Sequence, residues 1–174
     1  MKIDNIEIIN EKFVILRDSI KISKRAINKK LNYNLFNRTI FLGVTEDDAS
    51  LKMDVAENEL NDLIVLSLFA NFERQLRDDI LNKSSKLNEI TPNDLGSKIY
   101  ELASEEMERW QIEKIIKIYK FAVSENIISE LIKILRYRNW IAHGKNQGKI
   151  PDKVDPRTAY ETIKDFILSV EKVV

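Results

Sequence analysis

Leu63-Ile64-Val65-Leu66-Ser67-Leu68-Phe69-Ala70-Asn71-Phe72 is the stretch on which the fold turns. It carries no charge, yet ten residues fall short of the roughly 20 that span a bilayer. A helix apolar nearly all round belongs at the centre of a protein. Polar residues return at Glu73, Arg74 and Arg77. The pattern therefore predicts a long central helix from about residue 54 to 84.

Working outward, Ile6, Ile9, Phe13, Leu16, Ile20 and Ile27 recur at three-, four- and seven-residue steps. They predict an amphipathic helix over about residues 4–30. Residues 31–53 break that period. Asn32, Asn34, Asn37 and Gly43 read as loop, with Ile40-Phe41-Leu42 as a short strand or a buried tether. Downstream, Thr91-Pro92-Asn93-Asp94 is a helix start with proline near the first turn. That third helix is expected to reach about Arg109. Ile112–Phe121 and Ile127–Ala142 follow as one broken helix or two, with Ser124-Glu125-Asn126 as break and cap. Gly144 suits a left-handed helix end. Residues 145–154 read as an exposed basic loop, and Asp155-Pro156 caps a last helix with Tyr160, Ile163, Ile167, Val170 and Val174 on one face.

Composition agrees. The 174 residues are 44% apolar and 32% charged, with only 4 Gly and 3 Pro. Such a chain buries a sizeable core and has few of the punctuators an all-β fold needs. The fold class expected is all-α, one domain over residues 1–174, an antiparallel bundle of about five or six helices. With no cysteine, disulfides, zinc–thiolate sites and thiol nucleophiles are excluded. The acids at the N-terminus do not suit a signal peptide, so the expected location is cytoplasmic, without membrane association.

Twenty-eight basic and 28 acidic residues cancel, so any nucleic-acid footprint must be local. Charge is segregated. Lys21, Lys24, Arg25, Lys29, Lys30 and Arg38 lie in a span without carboxylates, and so do Lys133, Arg136, Arg138, Lys145 and Lys149. Acidic blocks at 46–62 and 101–108 offset them. Solvated helix faces explain such runs as well as a binding surface does.

The second basic span holds the only histidine, in Arg136-Tyr137-Arg138-Asn139-Trp140-Ile141-Ala142-His143-Gly144. Asn139 and His143 lie one helical turn apart on one face, so the amide is placed to orient the imidazole. Arg138 sits about 100° away, on the side of Leu131, Ile134 and Ile141. An arginine there is costly unless it is paired or faces a cleft. His143 falls in the last turn, where the helix dipole attracts a cation. A histidine that moves protons beside a guanidinium that stabilises a phosphorane is chemistry suited to phosphodiester cleavage. Arg and His before a helix-ending Gly are equally ordinary capping chemistry.

Arg138-Asn139-x-x-Ala142-His143-Gly144 resembles the signature of HEPN domains: Arg, four to six residues, then His, often with Asn directly after the Arg. The all-helical chain, with its motif closing a late helix and one more helix following, is similar in architecture. Phe69-Ala70-Asn71-Phe72-Glu73-Arg74-Gln75-Leu76 resembles the second-helix segment that carries a polar residue toward the HEPN cleft. Specific likeness covers about seven residues, and the stand-alone HEPN proteins of bacterial defence and toxin–antitoxin loci are the nearest in kind.

The resemblance implies a metal-independent endoribonuclease, with no cofactor, in which the RNA 2′-OH attacks the adjacent phosphate. It leaves a 2′,3′-cyclic phosphate and a 5′-OH. His143 is then general acid or base, Arg138 stabilises the phosphorane, Asn139 orients, and Glu73 positions His143 or Arg138. The resemblance also implies a homodimer with the motif at the interface, and an antitoxin or regulatory protein as a further partner. The chain departs from the pattern at Lys145, where toxins silenced by a nucleotidyltransferase antitoxin carry a tyrosine. For RNA contact the candidates are Lys145 and Lys149 on the loop, Arg136, and Trp140, which with Tyr137 suits either base stacking or packing in a core or interface. The alternative functions are a catalytically silent HEPN-like module that binds RNA or a protein, and a small helical enzyme with its pocket elsewhere.

Overall fold

Thr45 starts the longest element. Its hydroxyl accepts the Asp48 N–H at 3.2 Å and donates to the Asp48 carboxylate at 2.8 Å. Glu46, Asp47 and Asp48 place negative charge at the positive end of the helix dipole. The helix that follows, α2 (Glu46–Ser84), runs 39 residues. It begins at Glu46 rather than near Asp54, because this cap and its acids are helix-starting chemistry within a stretch that otherwise reads as loop.

A computed structural model of the protein describes residues 1–29, 33–89, 93–145 and 150–172. Around α2 stand α1 (Asp4–Asn28), α3 (Asn93–Glu106), α4 (Ile112–Ile118), α5 (Glu125–Ala142) and α6 (Pro156–Glu171), with short 3-10 turns between them. The fold is an all-α helical bundle, and no strand forms among the described residues. Ile40-Phe41-Leu42, one of whose two readings was a strand, lies in turns. Phe41 is the tether: it packs with Ile20, Phe36 and Val44 on a small cluster of Ile27, Ala49 and Met53.

Cross-helix contacts set the directions. Lys2 N–H meets Gln75 at 2.6 Å and Lys24 meets Asp54 at 2.6 Å, so α1 runs antiparallel to α2. Arg138 meets Glu73 and Lys145 meets Glu59, so α5 is antiparallel to α2 as well. Lys153 reaches Asn58 and Phe166 packs on Phe72, so α6 runs with α2.

The core gathers Phe69, Phe72, Leu68 and Val65 of α2 with Phe166, Ile163 and Ile167 of α6 and Leu131 and Ile134 of α5. Phe72 meets Phe69 and Phe166 edge-on, with centroids 5.8 and 5.1 Å apart. Each such buried side chain contributes about 1.5–3 kcal/mol of burial free energy. Tyr119 closes the core beside them and donates to Asp79 at 2.6 Å, tying the end of α4 to α2. The central run is not covered all round, however. Leu63 is 60% exposed, and Ser67 and Ala70 also face solvent.

Local signals placed the other boundaries. Ser124 accepts the Ile127 N–H at 3.5 Å and separates α4 from α5 as distinct helices. Asp155 accepts from Arg157 and Thr158 at 2.8 and 3.3 Å, with Pro156 in the first turn of α6. α3 ends at Glu106, and Met107–Arg109 continues as a 3-10 turn. Thr91, Pro92 and Val174 lie outside the described residues.

Candidate functional site

The C-terminal end of α5 is built by a double reversal of the backbone. Gly144 N–H reaches the Ile141 carbonyl and Lys145 N–H the Trp140 carbonyl, both at 2.9 Å. This is a Schellman turn with His143 at the cap position. Gly144 takes φ 74°, as its sequence position predicts, and Lys145 takes φ 60°. Left-handed backbone costs a residue with a side chain about 1–2 kcal/mol, so Lys145 must be held by something else.

It is held by α2. Lys145 Nζ lies 2.8 Å from Asp62 and 2.7 Å from Glu59. Asp62 is nearly sealed, its side chain 8% exposed, and it also accepts the Tyr137 hydroxyl at 2.6 Å. The hydrogen bond to Asp62, followed by that to Glu59, raises the pKa of Lys145 above the ordinary lysine value. Burial and then the Asp62 hydrogen bond push the Tyr137 phenol up. The proposed phosphate-binding Lys145 is therefore engaged by two carboxylates. Lys149, the other loop candidate, lies outside the described residues.

Asp62 is the site-building residue that sequence reasoning missed. One signal was there: Asp62 stands one and two turns before Val65 and Phe69, on the stripe that faces the core. A carboxylate on a buried stripe needs a partner.

About three turns further along α2, Glu73 meets Arg138. Arg138 Nη2 lies 3.3 Å from Glu73 Oε2, and its guanidinium stands over the Phe69 ring, 6.0 Å from the centroid. The other Glu73 oxygen takes Arg77 at 2.9 Å. Arg77 in turn donates to the carbonyls of Met107 and Trp110, so the pairing continues into the turn after α3. Of the two partners open to Glu73, His143 and Arg138, it is Arg138 that it contacts. Arg138 keeps 29% of its side chain exposed.

Asn139 also differs from expectation. Its Oδ1 accepts Arg138 Nη1 at 3.0 Å, so the amide orients the guanidinium and not the imidazole. Arg138 and His143 are five positions apart, roughly 140° around the helix, and they face different ways. Arg138 faces the α2 seam. His143 is exposed, without a hydrogen bond from its ring to any described side chain, and opens onto a groove of about 430 Å³. Lys133, Arg136, Asn139 and Trp140 line that groove from α5, and Ile150, Pro151 and Asp152 line it from the chain before α6.

Asn139 is thus the shared wall between the arginine and the histidine, and small, exposed Ala142 lies between the two on the helix surface. Trp140 packs on Tyr137 with centroids 5.8 Å apart. Its Nε1–H is buried without a hydrogen-bond partner among the described residues, so its contribution to the groove is an apolar surface.

Chemically, the end of α5 offers a guanidinium fixed on two sides and partly open, an exposed imidazole, and a groove with two further cations. Among the described residues, no group of three His, Asp or Glu side chains is placed to hold a metal ion. No helix among them is long and apolar enough to cross a membrane. No family model, no curated protein and no solved structure matches the chain.

Proposed function

We propose that the protein is an endoribonuclease of HEPN type that cleaves RNA without a metal ion, in the manner of a toxin or defence effector of the cytoplasm. The observation that carries this reading is the buttressed arginine: Arg138 is oriented by Glu73 and Asn139 while part of its guanidinium stays open, and an exposed His143 lies roughly 140° around the same helix end. A preorganised cation of this kind stabilises charge that develops on a phosphorane. In the reaction the 2′-oxygen bonds to phosphorus and the P–O5′ bond breaks. The 2′-hydroxyl proton leaves to a base and O5′ receives a proton from an acid, and His143 serves at one of these two ends. Glu73 and Asn139 hold Arg138 in place for it.

The active form is proposed to be a homodimer with the motif at the interface. The uncovered strip of α2 at Leu63, Ser67 and Ala70, on the helix that also carries Glu73, is the surface that supports a second copy packing there. An antitoxin or regulatory protein is the proposed controlling partner. The second reading, a catalytically silent module that binds RNA or a protein, draws support from Glu73, which offsets the Arg138 charge before any ligand arrives.

The test is incubation of mixed RNA with the protein in excess EDTA, beside His143→Ala and Arg138→Ala. Cleavage to cyclic-phosphate ends by wild type, reduced about 10²–10⁴-fold in His143→Ala, is the expected result. Equal cleavage by wild type and His143→Ala would overturn the assignment, and binding without cleavage in all three proteins would favour the silent module.

A further inference from the structure

The groove beside His143 contains a residue that the cleavage chemistry does not use. Asp152 is the only carboxylate among its described lining residues, facing a wall otherwise made of Lys133, Arg136, Asn139, Trp140, Ile150 and Pro151. The positive charges account for a phosphate, and the indole, proline and isoleucine account for a flat apolar ring. A carboxylate is unfavourable for an RNA backbone, and neither of those roles explains it. Asp152 forms no ion pair within 4 Å among the described residues, and the Lys133 ammonium on the same wall is paired with Glu130 at 2.6 Å. Its two oxygens are acceptors only.

We infer that this groove is a base-recognition subsite in which Asp152 selects an unpaired guanine beside the scissile phosphate, an assignment that rests on the ribonuclease reading above. Among the four RNA bases, guanine alone offers two adjacent donors on its Watson–Crick edge, N1–H and N2–H, to match two carboxylate oxygens. Adenine and cytosine offer one exocyclic amine next to an acceptor that repels a carboxylate. Uracil offers one N–H between two carbonyls. Unpaired bases are read on this edge and stacked on aromatic surfaces. Here Trp140 and Pro151 supply the surface, while Arg136 lies on the same wall for the attached phosphate. A volume of about 430 Å³ is within the range of small-ligand pockets and admits one nucleotide.

The chain has 2 tryptophans, so Trp110→Phe leaves Trp140 as the sole tryptophan, which is excited selectively at the red edge of the tyrosine absorption. In that background, its fluorescence is titrated with GMP, AMP, CMP and UMP, with and without Asp152→Asn, and cleavage sites in RNA are mapped for the same proteins. The expected result is GMP binding about tenfold or more tighter than the other three, cuts adjacent to guanosine, and preferences levelled to within about threefold by Asp152→Asn. Equal response to all four nucleotides, no response to any, or a guanine preference that survives Asp152→Asn overturns the assignment. The two readings fail separately. Guanine selectivity without RNA cleavage keeps the subsite and removes the nuclease, whereas cleavage without base preference keeps the nuclease and removes the subsite.

Discussion

Two carboxylates of α2 reach across to α5, and they do different things with the same chemistry. Asp62 is nearly sealed and accepts from Tyr137 and Lys145, one group on the helix and one just past its end. Glu73 is about a fifth exposed and is shared between Arg77 and Arg138. Asp62 clamps backbone: it holds a left-handed Lys145 and therefore the turn that begins at His143. Glu73 aims a side chain whose far end stays open. Burial separates a carboxylate that secures the fold from one that leaves its partner's far end open, since a sealed ion pair is costly to break and a wet one is not.

The largest expected effect is on the sealed one. Asp62→Ala leaves the Tyr137 hydroxyl buried without an acceptor, and should cost about 3 kcal/mol. In a domain of this size that lowers Tm by about 6–12 °C. A calorimetric fall under about 1 kcal/mol would erase the contrast. Glu73→Ala should cost less than about 1 kcal/mol in the same measurement, yet reduce RNA cleavage about 10–100-fold by misplacing Arg138. Equal loss of stability in the two variants would mean that both carboxylates are structural.

Smaller changes sharpen the clamp. Tyr137→Phe should cost about 1 kcal/mol, and a double-mutant cycle with Asp62→Asn should show strong coupling, because the two groups share one hydrogen bond. The smallest effect depends on pH. The folded-state pKa of Lys145 is raised, so its contribution is fully present below the ordinary lysine value of about 10.5 and fades as pH rises through the folded value. The Tm difference between wild type and Lys145→Met should hold steady from pH 7 to about pH 10 and close above it. A gap that stays unchanged as pH rises well above about 10.5 would exclude the lysine charge as its source.

The fold was legible where its causes are local. Ser124, Asp155-Pro156 and Gly144 act on backbone two or three residues away, and all three stand where the pattern put them. Thr45 acts just as locally, but its three following acids looked like surface charge, and so the first turns of α2 read as loop. Pairings between helices were less accessible. That Arg138 needs a partner follows from its place on an apolar face, but which carboxylate of α2 supplies it depends on register. Sequence spacing within one helix does not contain that register. Asn139 illustrates the same limit: spacing put it on the face of His143, and the neighbouring guanidinium captured its oxygen instead.

The length of α2 has a consequence for how the molecule comes apart. Its C-terminal half is packed by the main core, whereas its first turns rest on α1 and a small cluster whose buried members, among the described residues, are Ile27, Ala49 and Met53. Backbone hydrogen bonds run unbroken from one half to the other, but the free energy that protects them does not. Amide hydrogens before about residue 57 should exchange through a subglobal opening that leaves those after Ile64 untouched. To a protease or to deuterium, this one helix is a labile rod joined end to end to a stable one.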